Sequence, residues 1–205
     1  MVEPFRPAGC RRYKTSMNGR APVRVLNYVK LPFLILLTVA SAFAQQKSWR
    51  QTVADRLPYF GEGNWIVVAD SAFPMKPEPG IEMILSDDSH LNTVRHLLNV
   101  LEKEVHVRPV IYTDTELKHV PEQDAPGIEA YRQLFSGLLD KLVPQPPVHP
   151  TPQAGMMHTI EGVAKSYNVL IIKTTSILPY TTVFIELKTG YWQDDAEQRL
   201  RQSIR

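Results

Sequence analysis

Five short apolar runs alternate along the chain with segments of helical periodicity, and this alternation constrains the fold more than any other feature. The runs occupy residues 65–69, 81–85, 107–112, 169–173 and 183–187. Each has the length of one strand and is bounded by turn-forming residues. Strands that alternate with amphipathic helices form a layered α/β domain, in which helices flank a mostly parallel sheet. The sequence predicts one such domain over residues 45–205.

Helices are predicted between and after these strands. The spacing of apolar residues places them over residues 48–57, 89–104, 128–142, 153–166 and 194–202. Asp87 and Asp88 precede the second helix and are expected to cap its amino end. The proline-rich stretch over residues 143–152 joins the third and fourth helices. It is short for a domain linker, and we interpret it as a stiff extended crossing.

The first 44 residues differ from the rest in composition, since they hold seven of the 23 Lys and Arg residues and one of the 21 acidic residues. Basic residues precede an apolar run, LPFLILLTVASAFA, that ends in Ala42-Phe43-Ala44. This pattern predicts a secretory signal peptide cleaved before Gln45. The alternative, a membrane anchor, is disfavoured because the run of about 14 residues is shorter than the roughly 20 needed to span a bilayer. We expect a periplasmic or secreted protein with no membrane contact after cleavage.

Removal of this segment would change the charge of the chain and remove its single cysteine, Cys10. From residue 45 onward, 16 basic residues stand against 20 acidic ones, a net charge of about −4. This balance excludes a basic nucleic-acid-binding domain. One cysteine excludes a disulfide scaffold, and the six histidines lack the paired spacing of a metal site.

Two stretches carry residues suited to chemistry or binding. The first, GEGNWIVVADSAFP over residues 61–74, places Asp70 at the carboxyl end of a strand, where open α/β sheets bind ligands. Capping of the following turn is the alternative role for Asp70. The second, LIIKTTSILPYTTVFIEL over residues 170–187, joins two strands through a turn that contains Tyr180. Packing is the alternative role for this tyrosine.

These stretches carry a family resemblance. The segment IVVADSAFP resembles IVIADANFP of the D-ribose pyranase and L-fucose mutarotase family, and IIKTTSILPYTTVFIEL resembles that family's R-T-G-E-x-T-P-Y-A-N ending. Members are small α/β proteins that assemble into rings with sugar sites between subunits. They interconvert anomers or ring forms of free monosaccharides without a metal or organic cofactor. The resemblance implies a monosaccharide ligand, a homo-oligomer and no cofactor for this chain, as a divergent exported member.

The resemblance also implies roles for individual residues. Asp70 matches the family aspartate that supports the catalytic group and contacts sugar. Lys173 takes the place of the arginine in R-T-G, and His158, fifteen residues earlier, matches a functional histidine. Tyr180 matches the tyrosine that binds sugar hydroxyls from a neighbouring subunit. Thr182 stands where the family has asparagine, so it is the corresponding candidate for substrate binding.

The main departure lies at Glu62, which replaces the family's catalytic histidine eight residues before Asp70. A carboxyl group can transfer the protons of sugar ring opening if burial and a nearby like charge raise its pKa. The sequence therefore predicts Glu62, Asp70 and His158 together in one concave site of an isomerase. Two alternatives remain open: a sugar-binding relative that has lost catalysis, and an unrelated exported α/β domain with another small ligand.

Overall fold

Six strands form one sheet in this computed structural model, which describes residues 47–204. In chain order they are β1 (Trp65–Ala69), β2 (Ile81–Leu85), β3 (Val107–Asp114), β4 (Val148–Thr151), β5 (Val169–Lys173) and β6 (Val183–Thr189). The order across the sheet is β2-β5-β1-β6-β3-β4. Strand β6 is antiparallel to both of its neighbours, and the other pairings are parallel. The prediction of a mostly parallel α/β sheet is confirmed.

Five helices cover this sheet or follow it. They are α1 (Trp49–Arg56), α2 (His90–Leu101), α3 (Ile128–Leu139), α4 (Gln153–Val163) and α5 (Asp194–Ser203). Buried side chains of α1, α2 and α3 share one hydrophobic cluster with one face of the sheet, and those of α4 share a second cluster with the other face. No residue of α5 is buried. None of the helices among residues 47–204 is long and apolar enough to cross a bilayer.

Strand β1 shows why the chain adopts this layered arrangement. Ile66 and Val68 pack into the cluster below α1, α2 and α3, whereas Val67 and Ala69 pack below α4. All four are at most 1% exposed, because helices cover both faces of this central strand. A strand buried on both sides reads as a continuous apolar run. Each buried Val or Ile side chain stabilises the fold by roughly 1.5–3 kcal/mol.

The proline-rich stretch was interpreted incompletely from the sequence. Residues 148–151 of this predicted crossing form β4, which pairs in parallel with β3. The strand lies at the edge of the sheet, where proline is tolerated because one side needs no hydrogen bonds. Its burial is slight, so it lacks the apolar alternation by which strands are recognised.

The predicted caps of α2 are wrong. The cap is Ser89, whose Oγ accepts a hydrogen bond from the Asn92 backbone N–H. Asp88 instead accepts a hydrogen bond from the Trp49 indole at 3.0 Å. This contact fixes the start of α2 against α1. The predicted signal peptide, its cleavage site and Cys10 lie outside the described residues.

Candidate functional site

Five of the six strands end at one edge of the sheet, and β6 begins there. We call this the carboxyl edge. In the order of the strands, the polar residues along it are Ser86, Thr174, Asp70, Thr181 with Thr182, Asp114 and Thr151. Open α/β sheets bind ligands beyond the carboxyl ends of their strands. The carboxyl edge is therefore the place to look for a site.

Asp70 follows β1 at this edge, as predicted, and is 8% exposed. Its Oδ1 accepts a hydrogen bond from the Ala72 backbone N–H at 2.7 Å. Asp70 therefore does cap the following turn, the alternative role that its position allowed. Its negative charge also acts on Asp114, two strands away, and raises the pKa of that carboxyl. Asp70 therefore both caps the turn that follows β1 and raises the pKa of Asp114.

Asp114 is the last residue of β3 and is 3% exposed. Its Oδ2 accepts a hydrogen bond from the Gln153 side chain at 3.3 Å. Burial, followed by the charge of Glu116, raises the pKa of Asp114 to about 7, with a smaller contribution from Asp70. The Gln153 hydrogen bond opposes this rise. Near neutral pH the protonated and ionised forms of Asp114 are both populated, which is the condition for acid and base chemistry.

Thr182 lies directly across from Asp114. The antiparallel register ends with Thr113 paired to Val183, and continuing it by one position places Thr182, the residue before β6, opposite Asp114. Within residues 47–204, neither Asp114 Oδ1 nor Thr182 Oγ1 has a hydrogen-bond partner, although both atoms are buried. Buried polar atoms are almost always paired with protein, water or ligand. Two such atoms on adjacent strands therefore mark a place where a polar ligand can bind.

The amino end of α4 closes one side of this site. The Gln153 backbone N–H donates to the two carboxylate oxygens of Glu116, at 3.3 and 3.2 Å. The first N–H groups of a helix have no partner within the helix, and a negative charge there is favourable. Glu116 thereby holds Gln153 beside Asp114. Asp114, Glu116 and Gln153 were not predicted as site residues, because Asp114 and Glu116 lie beyond the predicted third strand, residues 107–112.

Lys173 ends β5 at the same edge, as predicted. Its Nζ donates a hydrogen bond to the Phe73 carbonyl oxygen at 2.9 Å. The register places it beside Ala69, the residue before Asp70. Lys173 therefore ties the loop after β1 to the sheet and brings a positive charge to an edge that carries two aspartates.

Tyr180 lies in the turn that leads to β6. Its φ of 56° is in the left-handed region, which is uncommon for residues other than glycine. The turn is held because the Thr181 carbonyl accepts a hydrogen bond from Tyr131 and the Thr181 hydroxyl donates to Leu178. The Tyr180 side chain is 36% exposed. It is presented outward, and its predicted contact with a neighbouring subunit stays a prediction.

A buried histidine supports this turn from below. His90 Nδ1 lies 3.1 Å from the Tyr131 hydroxyl oxygen, and His90 Nε2 lies 3.3 Å from the Val68 carbonyl oxygen. Burial lowers the pKa of His90 to about 4, so the ring is neutral at pH 7. Since a carbonyl only accepts, Nε2 carries the hydrogen and Nδ1 is an acceptor, so the single Tyr131 hydroxyl hydrogen is shared between Nδ1 and the Thr181 carbonyl. The sequence held a signal for this role, because His90 precedes Val94 by four residues on the buried face of α2.

His158 does not lie in this cluster. It is exposed on α4, five residues beyond Gln153. Its charge acts on Glu161, which forms an ion pair with Lys76. Matching by sequence spacing selected His158, but Gln153 is the α4 residue that contacts Asp114.

The expected pair of Glu62 and Asp70 is wrong for a single chain. Glu62 is exposed and precedes β1, so it lies at the opposite edge of the sheet. There it accepts a hydrogen bond from Thr189, the last residue of β6. The five residues of β1 separate the two carboxylates by about 17 Å at roughly 3.3 Å per residue. Because β1 lies between them in the sequence, Glu62 and Asp70 lie at opposite edges of the sheet.

Comparisons with known proteins give structural likeness alone. No protein-family model matches the chain, and no curated protein matches it. Among solved structures, Bacillus subtilis RbsD complexed with D-ribose is 14% identical, with a TM-score of 0.45 over 67% of this chain and 92% of RbsD. Fucose mutarotase from Streptococcus pneumoniae, complexed with L-fucose, is 18% identical, with a TM-score of 0.42 over 71% and 98% of the two chains. FucU from Bifidobacterium longum is 14% identical, with a TM-score of 0.46 over 67% and 92%.

Within residues 47–204, no group of three or more His, Cys, Asp and Glu side chains is placed to hold a metal ion. The side chains along the carboxyl edge carry carboxyl, hydroxyl, amide and ammonium groups. Such groups can bind a small polyhydroxylated ligand and move protons on it.

Proposed function

We propose that this chain binds a free monosaccharide at the carboxyl edge and catalyses exchange between its anomers or ring forms. The observation that carries the proposal is Asp114, a buried carboxyl with a pKa of about 7 and an oxygen that lacks a partner among the described residues. Thr182 lies across from it with a second such oxygen. A sugar offers hydroxyl groups that can satisfy both atoms.

Ring opening needs one proton removed and one added. A base takes the proton of the anomeric hydroxyl, the electron pair forms the carbonyl, the bond from the anomeric carbon to the ring oxygen breaks, and an acid protonates that oxygen. Closure on either face of the carbonyl reverses these steps. Asp114 can serve as acid or base near pH 7, because its carboxyl is partly protonated there. Asp70, in electrostatic contact with it, is the candidate for the second group.

The other edge residues fit roles in binding. Thr182 and the Gln153 amide can exchange hydrogen bonds with sugar hydroxyls, and the Lys173 ammonium can donate to them. Tyr180 is exposed on a fixed turn, and we propose that it contacts the sugar bound to a neighbouring subunit of a closed homo-oligomer. The proposal includes export, with a mature chain that begins at Gln45.

A non-catalytic sugar-binding protein is the second candidate. The observation that favours it is that Gln153, and no histidine of residues 47–204, forms a hydrogen bond with Asp114, while Glu62, at the position of the family's catalytic histidine, lies at the opposite edge. Binding without proton transfer would need only the hydroxyl, amide and ammonium groups.

Exchange spectroscopy by NMR distinguishes the two candidates. A panel of free monosaccharides would be measured at pH 7 with and without the mature chain, for binding by line broadening and for exchange between anomers. Exchange faster than in buffer for at least one sugar that binds supports the enzyme. Binding with buffer-like exchange for every sugar supports the second candidate, and absence of binding contradicts both.

A further inference from the structure

The face of the sheet below α4 is only partly covered, and the uncovered part forms a groove of about 540 Å³. We call it the open-face groove. Its lining includes Trp65, Tyr112, Thr159, Tyr167 and Glu186. Volumes of small-molecule sites run from roughly 300 to 1,000 Å³. The groove is thus large enough for a ligand bigger than one monosaccharide.

Aromatic rings form its floor. Tyr112 stacks on Trp65 with ring centroids 5.3 Å apart and an angle of 29° between the planes. Trp65 is 5% exposed and supports the half-buried Tyr112 from beneath. Flat aromatic faces bury large apolar areas with little loss of side-chain freedom. The C–H faces of pyranose rings are suitable partners for such a floor.

Glu186 is held in a fixed position beside these rings. Its Oε2 accepts a hydrogen bond from the Tyr112 hydroxyl at 2.9 Å, and its Oε1 lies 2.6 Å from Lys188 Nζ. Its side chain is 14% exposed. A fixed carboxylate that remains accessible is a strong acceptor for ligand hydroxyls. With Glu62 also in the lining, the charged groups are two carboxylates and one ammonium, which favours a neutral ligand over an anionic one.

Tyr167 forms the wall at the far end and depends on Gly63. A Cβ on Gly63 would lie 2.5 Å from Tyr167 Cε1, so the ring rests directly on the glycine. The φ of Gly63 is +88°, a conformation that other residues rarely adopt. The ring is 50% exposed and can therefore contact a ligand in the groove.

One end of the groove lies one strand away from Asp114. Thr151 lines the groove, and the β3–β4 register pairs Thr151 with Asp114. From there the groove extends across the sheet to Glu62, which also lines it. A chain of sugar residues that begins at Asp114 would continue into the groove.

We infer that the ligand is the reducing end of a short neutral oligosaccharide, whose further residues lie in the open-face groove. The inference rests on the proposed function, because it places the reducing residue at Asp114. The half-exposed Tyr167 ring provides a stacking surface, and Glu186 accepts hydrogen bonds from hydroxyl groups. The Tyr112 ring already packs against Trp65 and His149, so it contributes a fixed part of the floor. The proton transfer at the reducing residue is the same as for a monosaccharide.

Calorimetry with the mature chain tests this inference. The probes are glucose, galactose and mannose, their reducing disaccharides maltose, cellobiose, lactose and mannobiose, and the non-reducing disaccharide trehalose. We expect at least one reducing disaccharide to bind tenfold or more tightly than its monosaccharide. Trehalose, which has no reducing end, should bind no more tightly than glucose. Tyr167→Ala should weaken that disaccharide at least fivefold and change the monosaccharide less than twofold.

Thr159→Trp provides a second variant, because Thr159 is exposed on α4 and a larger side chain there would fill the groove. It should act like Tyr167→Ala, whereas Gln133→Trp, exposed on α3, should change neither affinity. If a monosaccharide binds and no disaccharide binds more tightly, the inference is wrong and the proposed function stands. If only disaccharides bind and Tyr167→Ala abolishes this, the groove is supported and the edge site is wrong. If nothing binds, both are wrong.

Discussion

Asp114 ends β3 and Thr182 immediately precedes the adjacent β6, and each has a buried oxygen atom that lacks a hydrogen-bond partner among residues 47–204. An unpaired buried polar group costs about 1–3 kcal/mol. A ligand that supplies hydrogen bonds to both atoms recovers part of this cost on binding. The carboxyl edge is therefore prepared for a polar ligand at the expense of stability.

Asp114→Asn should separate binding from catalysis. The amide has the shape of the carboxyl group and can form hydrogen bonds, but it cannot exchange a proton. We expect sugar affinity within a few fold of the unmodified chain and an exchange rate between anomers lower by about 10²–10⁴-fold. NMR exchange measurements check this, with the exposed Asp140→Asn as the control. Full exchange activity in Asp114→Asn would show that another group transfers the proton.

The same substitution should change how stability depends on pH. The pKa of Asp114 is raised from 3.8 to about 7, so its contribution to stability is complete below about pH 4 and is lost as pH rises through 7. The pKa of His90 is lowered from 6.5 to about 4, so its contribution is present above about pH 6.5 and is lost as pH falls through 4. In the unmodified chain the two effects oppose each other.

In Asp114→Asn the effect of Asp114 that opposes that of His90 is lost, so acidification from pH 7 to 4 should destabilise the variant more than the unmodified chain. The difference is on the order of 4 kcal/mol, from the size of the Asp114 pKa change. Urea unfolding at about pH 4, 5.5 and 7 measures it. Parallel pH dependences for the two chains would contradict the raised pKa of Asp114.

Gln153→Ala and Glu62→Gln should differ in effect. The Gln153 hydrogen bond favours the ionised form of Asp114, so its loss in Gln153→Ala should raise the pKa of Asp114 further. The pH–rate profile for monosaccharide exchange should then shift to higher pH. Glu62 lies at the opposite edge, so Glu62→Gln should leave that exchange within twofold. A large loss of monosaccharide exchange in Glu62→Gln would restore Glu62 as a catalytic residue.

Tyr180→Ala tests the proposed oligomer. Tyr180 is exposed on a turn held by Tyr131 and Leu178, so truncation of its ring should leave the fold intact. We expect the mature chain to form a closed homo-oligomer, and we expect the variant to lose sugar affinity tenfold or more. Light scattering and calorimetry check the two statements. A monomeric mature chain would contradict the first statement. A Tyr180→Ala variant that binds sugar as tightly as the unmodified chain would contradict the second.

Export predicts a defined amino terminus. Cleavage after Ala44 would leave a mature protein that begins at Gln45, because small residues at positions 42 and 44 follow a short apolar run. Mass spectrometry of material secreted or released from the periplasm checks this. Intact material that retains residues 31–44 would instead indicate an anchored protein.

The sequence was most informative about the buried strands. Strands β1 and β5 match their predicted ranges residue for residue, because strands covered on both faces are continuous apolar runs. Strand β2 also matches, although it lies at the sheet edge and is only partly buried, because four of its five residues are apolar. Strand β4, at the other edge, was missed because it contains proline and polar residues and is little buried. A continuous apolar run, rather than a place in the sheet, is what made a strand predictable.

The positions of candidate residues were predictable where they lie at the end of a strand. Asp70, Lys173 and Thr182 lie at the carboxyl edge as their positions indicated. Asp114 was not predictable, because its burial depends on the register of β3 against β6 and on the position of α4 above it. Glu62 was misplaced because matching by sequence spacing takes no account of the width of the sheet.

The reversed direction of β6 determines at which edge of the sheet the segment after β6 leaves, and so where a label or linker can be joined. Since β6 starts at the carboxyl edge and runs away from it, the segment that follows, Gly190 to the end of α5, leaves the sheet on the side of His106, whose carbonyl binds the Gly190 N–H at 2.9 Å. A fluorescent label, an affinity tag or a surface linker joined beyond α5 would therefore be attached to a segment that leaves the sheet at the edge opposite Asp114. Immobilisation through this end would leave the proposed sugar site facing the solution.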